Sequence, residues 1–238
     1  MEPVESWGAL RRRLQEFPPC TVAVVDPHGP GGAGPLSLEL RTLIQDFRSV
    51  AIVAAVAVRR GCGDDLCTLG RWGITEVIDL EADNTAPAVQ RRLRCASANL
   101  LRDLIERKLF PLVDPKGRQV VRAAVDVALQ GGNARDLARA LYVSGRTLDR
   151  RCSEVSLPPP RRMLLWIRVL LATHLMGDVG RTLDGIAQGC GYSSKQALRR
   201  AVHNLLGTHG IDLRRTSAFS SAITAFCTEI REYPGKGH

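Results

Sequence analysis

The chain has 238 residues, a formal net charge of +9 and seven cysteines. That length holds one large domain or two modest ones, each with its own core. The cysteines (20, 62, 67, 95, 152, 190 and 227) form an odd set with no C-x-x-C pair and no Cys/His partners at zinc-finger spacing, which excludes a disulfide framework and a zinc finger.

The charge is uneven. Residues 1–115 carry 14 Lys+Arg against 15 Asp+Glu, whereas residues 116–238 carry 19 against 9. A near-neutral half joined to a basic half is the electrostatic footprint of a nucleic-acid-binding module with a separate partner domain. Only four of the 33 basic residues are lysine. Arginine suits bidentate contacts to phosphate and guanine, and a GC-rich genome produces the same bias. Leu10-Arg11-Arg12-Arg13-Leu14-Gln15-Glu16 interrupts any apolar signal core, and the longest apolar stretch, Val50 to Val58, is too short to span a membrane. The expectation is a cytoplasmic protein with reduced thiols and no membrane partner.

Residues 1–17 read as an amphipathic helix or a tail. Thr21 to Val25 is a β-branched run ending at Asp26, which predicts a buried strand. A Gly/Pro-rich loop follows from Pro27 to Pro35, and Leu36, Leu40, Leu43, Ile44 and Phe47 then recur at helical spacing. Val50 to Val58, apolar throughout, predicts a second strand buried on both faces. Asp65 to Trp72 predicts a short helix ending at Gly73, Ile74 to Leu80 a third strand, and Pro87 to Phe110 one long helix. This alternation argues for a small parallel sheet with helices on its faces. Val89, Leu93, Leu100, Leu101, Leu104 and Ile105 lie broadly on one side of the last helix, suiting a dimer seam, docking onto the basic half, or a cover for the sheet.

Gly29-Pro30-Gly31-Gly32-Ala33-Gly34 formally matches G-x-G-x-x-G, the loop that presents backbone N–H groups to a pyrophosphate. It begins several residues after the strand, and Pro30 and Pro35 remove two donors, so a Gly/Pro loop is the better account. Val24-Val25-Asp26 and Gly70 to Ile78 resemble the first strand and the last helix-to-strand turn of a response-regulator receiver. The stretch is short, and paired acidic residues after the first strand are lacking. No strand ends in an obvious phosphoacceptor Asp, and Leu80-Glu81-Ala82-Asp83 stands where a Lys would follow the third strand. The resemblance therefore implies a degenerate, truncated receiver-like domain whose work is protein contact, with Asp26 a structural residue.

Pro111, Asp114, Pro115 and Gly117 mark a boundary, giving a 1–112 regulatory or dimerisation domain and a 113–238 helical domain with a C-terminal tail. Helices are predicted at 118–130, 134–141, 145–154, 161–176, 183–189, 195–206 and 209–216, with a further amphipathic segment from Ser220 to Arg231.

A pattern occurs twice in this half. Leu137-Ala138 precedes Ser144-Gly145-Arg146-Thr147-Leu148-Asp149-Arg150, and Ile186-Ala187 precedes Ser194-Lys195-Gln196-Ala197-Leu198-Arg199-Arg200. Each copy is a short apolar helix, a break, a Ser placed to cap a new helix, and a basic helix. That is the layout of two helix-turn-helix units, which place their second helix in the DNA major groove. With Leu148 and Leu198 pointing inward, Arg146 and Asp149 of one helix and Lys195, Gln196 and Arg199 of the other face outward, and Arg150 and Arg200 flank them. Arg pairs with guanine, Gln with adenine, and a carboxylate accepts from a cytosine amino group. The candidate DNA-binding set is Ser144, Arg146, Asp149, Arg150, Ser194, Lys195, Gln196, Arg199 and Arg200. Arg151, Arg161, Arg162, Arg181, Arg214 and Arg215 are equally well read as solvated surface.

Residues from about 118 to 215 resemble the DNA-binding domain of the arabinose-regulator (AraC/XylS) family, most closely over Ile186-Ala187-Gln188-Gly189-Cys190-Gly191-Tyr192-Ser193-Ser194 with Leu198, Arg199, Arg200 and Gly207. Met163 to Met176, with Arg168 and Ala172, resembles the family's linker helix, and Val202 stands where a Phe is usual. The resemblance implies two helix-turn-helix units joined by that helix. At about 1.5 Å per residue a 16-residue linker is roughly 24 Å long. With the radii of the flanking units, it can set two recognition helices about one DNA turn, ~34 Å, apart.

The five histidines are scattered, and no Ser-centred nucleophile motif or metal cluster is present. The expectation is a non-enzymatic bacterial transcriptional regulator that binds double-stranded DNA and needs no cofactor, with a homodimer or regulatory-protein contact through its N-terminal domain. The alternative is a nucleotide-binding α/β protein with a helical oligomerisation module.

Overall fold

The computed structural model describes residues 3–16, 21–29, 34–97, 100–207 and 218–233. The chain divides into two compact units. One is formed by Met1–Asn99 together with Asp178–Thr182, the other by Leu100–Gly177 together with Leu183–His238. The first unit is thus built from two separate stretches of chain.

That unit holds β1 (Val22–Val25), β2 (Ala51–Val56) and β3 (Glu76–Asp79), with α1 (Trp7–Glu16), α2 (Leu38–Asp46), α3 (Gly63–Trp72) and α4 (Ala86–Ser97). The strands are parallel in the order β1-β2-β3, with Val24 opposite Val53 and Ala54 opposite Val77. β2 is apolar throughout because it is central. Ile52 and Ala54 join a core with Ala23, Val25, Leu14, Leu40, Leu43, Phe47 and Leu69, and Val53 is also fully buried. α3 closes on Gly73, whose left-handed φ of +109° turns the chain into Ile74 and β3.

All three predicted strands are present. The single helix expected over 87–110 is instead α4 and α5 (Leu100–Leu109), which belong to different units; residues 98–99 lie outside those described. α4 packs on the sheet, whereas Ile105 and Leu109 of α5 are fully buried in the helical unit. The apolar stripe is therefore divided between two helices of different units, and only Ile105 of it is fully buried among the described residues.

The strand order also departs from the receiver resemblance. A flavodoxin-like sheet places its first strand between the second and third. Here β2 is central and β1 lies at an edge. β3 does end on an acidic residue, Asp79, which the sequence reading did not single out. Its Oδ1 accepts from the N–H groups of Glu81 (3.0 Å) and Val58 (3.2 Å), and these bonds hold its carboxyl below the usual value. Asp26 has the expected structural part, accepting from the His28 N–H at 2.9 Å. Residues 30–33, and with them most of the Gly29–Gly34 loop, lie outside the described residues.

The second unit is helical among its described residues. It contains α5, a 3₁₀ turn (Phe110–Leu112), α6 (Pro115–Leu129), α7 (Ala134–Ala140), α8 (Gly145–Glu154), α9 (Pro160–Leu175), α10 (Leu183–Gly189), α11 (Lys195–Leu206) and α12 (Ala218–Glu232). α6 starts on an Asp114 cap that accepts from the Gly117 N–H at 2.6 Å, with Pro115 at the first position. The helix expected over 209–216 lies outside the described residues.

α9 is more than a linker. It is apolar nearly all round, with Met163, Trp166, Ile167, Leu170 and Leu171 among its buried residues, and α6, α7, α8, α10, α11 and α12 all pack on it. Trp166 stacks on Phe226 of α12 at 5.3 Å between centroids. Arg162 lies over Trp166 and donates both Nε and Nη2 to Glu229, at 2.9 and 2.8 Å. No helix among the described residues is long and apolar enough to cross a membrane.

Candidate nucleic-acid interface

Two helix pairs, α7–α8 and α10–α11, flank α9 in sequence. α7 begins on a capping box in which Asn133 Oδ1 accepts from the Arg135 N–H (2.8 Å) and Asp136 Oδ2 from the Asn133 N–H (2.8 Å). Leu137 and Ala138 are buried, as are Ile186 and Ala187 of α10.

The two breaks share one hydrogen-bond pattern. In the first, the Tyr142 N–H reaches Arg139 O and the Val143 N–H reaches Ala138 O. In the second, the Gly191 N–H reaches Gln188 O and the Tyr192 N–H reaches Ala187 O. Both turns need a left-handed residue: Gly191 has φ +75° and Tyr142 φ +54°. Glycine adopts this region at little cost, while tyrosine is strained there and its ring is 96% exposed. The sequence reading missed Tyr142 because its equivalence to Gly191 is hidden: the first helices align at an offset of 49, the second at 50, so the second turn is one residue longer.

Ser144 and Ser194 cap α8 and α11. Ser144 Oγ accepts from the Thr147 N–H at 3.1 Å and Ser194 Oγ from the Ala197 N–H at 3.2 Å. α8 buries Leu148 and Cys152 and leaves Arg146, Asp149 and Arg150 exposed. Burial, helped by the charge of Asp149, pushes the Cys152 thiol up to about 12, so this cysteine is a small core residue. α11 buries Leu198 and Val202 and leaves Gln196, Arg199 and Arg200 exposed. Val202, in place of a larger aromatic, is completely enclosed.

Arg146, Arg199 and Arg200 have no ion-pair partner among the described residues. Arg150 pairs with Glu154 at 3.4 Å, and half-buried Lys195 pairs with Asp184 of α10 at 3.1 Å. Exposed pairs of this kind contribute at most about 1 kcal/mol and exchange readily for a phosphate. The helix N-termini, each satisfied by one hydroxyl, retain unpaired backbone donors and a positive dipole end suited to an anion.

Arg181 is not solvated surface, and Arg162, though its side chain is 41% exposed, is paired. Arg181 is 1% exposed and its Nε donates to Asp178 at 3.2 Å, and Arg162 is held by Glu229. Arg151 and Arg161 are exposed, and Arg214 and Arg215 lie outside the described residues.

Residues 137–216 match the family model of a helix-turn-helix domain. The matched stretch begins in α7 and includes α8, α9, α10 and α11. No curated protein and no solved structure matches the chain. The C-terminal half therefore contains a stretch, about a third of the chain, that matches a helix-turn-helix domain.

Proposed function

We propose that this protein is a bacterial transcriptional regulator that reads double-stranded DNA by inserting α8 and α11 into successive major grooves. One observation carries the reading: two Ser-capped helices each bury an apolar face, expose a basic one, and pack on the same central helix α9. α9 has 16 residues and is about 24 Å long at 1.5 Å per residue, which suits recognition elements about one DNA turn, ~34 Å, apart.

In this arrangement Arg146 and Gln196 read base edges, with Asp149, Lys195 and Arg199 beside them. Arg150 and Arg200 meet phosphates, and Ser144 and Ser194 aim the two helix N-termini. The near-neutral α/β unit, residues 1–99 with the 178–182 segment added, is the regulatory half, answering to a partner or to a second copy of the chain. Its charge balance of 12 basic against 13 acidic residues supports a role other than holding DNA.

A gel-shift titration of the full chain with genomic duplex fragments tests the reading. Saturable binding that weakens steeply with salt is the expected result. Absence of any duplex binding at low salt overturns it.

A further inference from the structure

Arg168, on α9, stands where both helix pairs meet. Its Nη2 donates to Gly132 O at 2.7 Å and to Gly131 O at 3.2 Å, the carbonyls that follow the C-terminus of α6 and lead into α7. A guanidinium there also complements the negative end of the α6 dipole. On its other side lies the turn between α10 and α11. A methyl group built on Gly191 would sit 3.9 Å from Arg168 Cζ, 3.7 Å from Gly131 Cα and 3.9 Å from Gly131 O. The two turns therefore approach each other beside one side chain.

Both turns are closed by backbone hydrogen bonds. Gly131 is left-handed at φ +72° with its N–H on Ala128 O, the Gly132 N–H reaches Val127 O, and the Gly191 and Tyr192 N–H groups make the matching pair of bonds. A side chain at Gly132 would lie 2.8 Å from Val127 Cγ1, so that turn packs against α6 too closely for any residue but glycine. Next to Gly191, the Tyr192 ring is largely enclosed. Burial pushes its hydroxyl pKa up, with Cys190 adding to the rise, and the charge of Arg168 offsets this only in part.

We infer that Arg168 is a positioning residue that fixes the phase and separation of the two recognition helices, so that the protein accepts only one spacing between its half-sites. The inference rests on the two-groove reading above. Arg168 itself is turned into these turns and touches no DNA in that reading. Lysine is a point charge on a flexible stem and can keep the carbonyl bonds, but it lacks the planar group that stands beside Gly191.

The test uses the full-length protein and a duplex chosen from a random pool by the wild type, with one or two base pairs inserted or removed between the half-sites. Each base pair displaces one half-site by about 3.4 Å and roughly a tenth of a turn. Wild type should lose about tenfold or more in affinity for one changed base pair. Arg168→Ala should bind all spacings within about threefold of one another, with unchanged salt slope, and Arg168→Lys should restore part of the discrimination. Arg168→Met separates the charge from the packing of the stem and should behave like the alanine variant.

An Arg168→Ala protein that keeps the wild-type spacing preference overturns the inference. So does a uniform loss at every spacing, because that marks a merely structural role. Wild-type binding without any spacing preference also overturns it while leaving DNA binding intact. Wild type that binds no duplex at all removes the two-groove reading itself.

Discussion

Asp178 and Ser49, 129 positions apart, are joined by two hydrogen bonds: Asp178 Oδ1 accepts from the Ser49 N–H at 3.0 Å and Oδ2 from the Ser49 hydroxyl. The same carboxylate takes the Nε–H of Arg181, and both charged groups are almost fully enclosed. Two residues on, the Gly180 N–H reaches Asp46 O at 3.1 Å, and Gly180 lies against Phe47 so closely that a Cβ would fall 2.5 Å from its Cζ. The strap from 178 to 182 is thus part of the α/β unit's own structure.

Asp178→Ala removes the counter-ion of an enclosed guanidinium and should destabilise the unit by roughly 3–5 kcal/mol. Gly180→Ala forces Phe47 to move and should cost about 1–3 kcal/mol. Urea unfolding followed by circular dichroism reads both. An unchanged midpoint for Asp178→Ala would show that the strap is incidental to the unit's stability.

On the recognition helices, Arg146→Ala and Gln196→Ala should each lose about 1–3 kcal/mol of discrimination at one base position. Arg150→Ala and Arg200→Ala should weaken all duplexes alike and lower the salt slope by about one each. Competition against random duplex distinguishes the two classes. If the Arg146 and Gln196 variants discriminate as the wild type does, these side chains do not read bases.

The parts legible in the sequence are those whose signal is local. Val50 to Val58 announces a doubly covered strand by its unbroken apolar run, and Ser144 and Ser194 announce helix starts by their position before Leu148 and Leu198. The strap was not legible. Gly177-Asp178-Val179-Gly180 has the composition of an exposed turn, and only pairing with residues 46–49 makes Arg181 a buried group. Arg162 misled for the same reason, since Glu229 lies 67 positions away. α9 was read as a linker from its resemblance, although its apolar residues all round already pointed to a central helix. The helix pattern over 87–110 is continuous in sequence, and nothing local records that its two ends join different units.

Ser144→Ala and Ser194→Ala should each cost about 1 kcal/mol, because each hydroxyl satisfies one orphan N–H of its helix. Ser144→Asp, which keeps the acceptor, should preserve stability. It should also weaken DNA binding, since it places a negative charge at the helix end proposed to meet the polyanion. Equal stability of Ser144→Ala and wild type would remove the cap from the account.

The α9–α12 contact has a pH dependence of definite sign. Burial pushes the Glu229 carboxyl up, but the hydrogen bonds of Arg162 and Trp166 and the charge of Arg162 together more than offset this, leaving its pKa below the ordinary 4.5. A group with a depressed folded pKa contributes stability that is complete above its unfolded value and is lost as pH falls through the folded one. Thermal unfolding should therefore show a loss as pH falls below the ordinary carboxylate value, and that loss should be smaller in Glu229→Gln. An identical acid limb in the two proteins would place the titrating groups elsewhere.

The last expectation concerns phosphorylation. In the α/β unit Asp79 ends β3, yet its Oδ1 is already committed to the N–H groups of Glu81 and Val58, which tie the β3 end to the segment after β2. Asp83 is enclosed and accepts from Arg92 Nε (3.1 Å) and from the Asp79 N–H (3.2 Å). Asp26 caps the turn at His28. Each carboxylate is used as a hydrogen-bond acceptor for the fold, and none stands among paired acidic residues after the first strand. Incubation with acetyl phosphate and Mg²⁺ should accordingly leave both the mass and the DNA affinity of the full chain unchanged. A phosphorylated species mapped by mass spectrometry to Asp26 or Asp79 would restore the receiver reading in spite of the strand order.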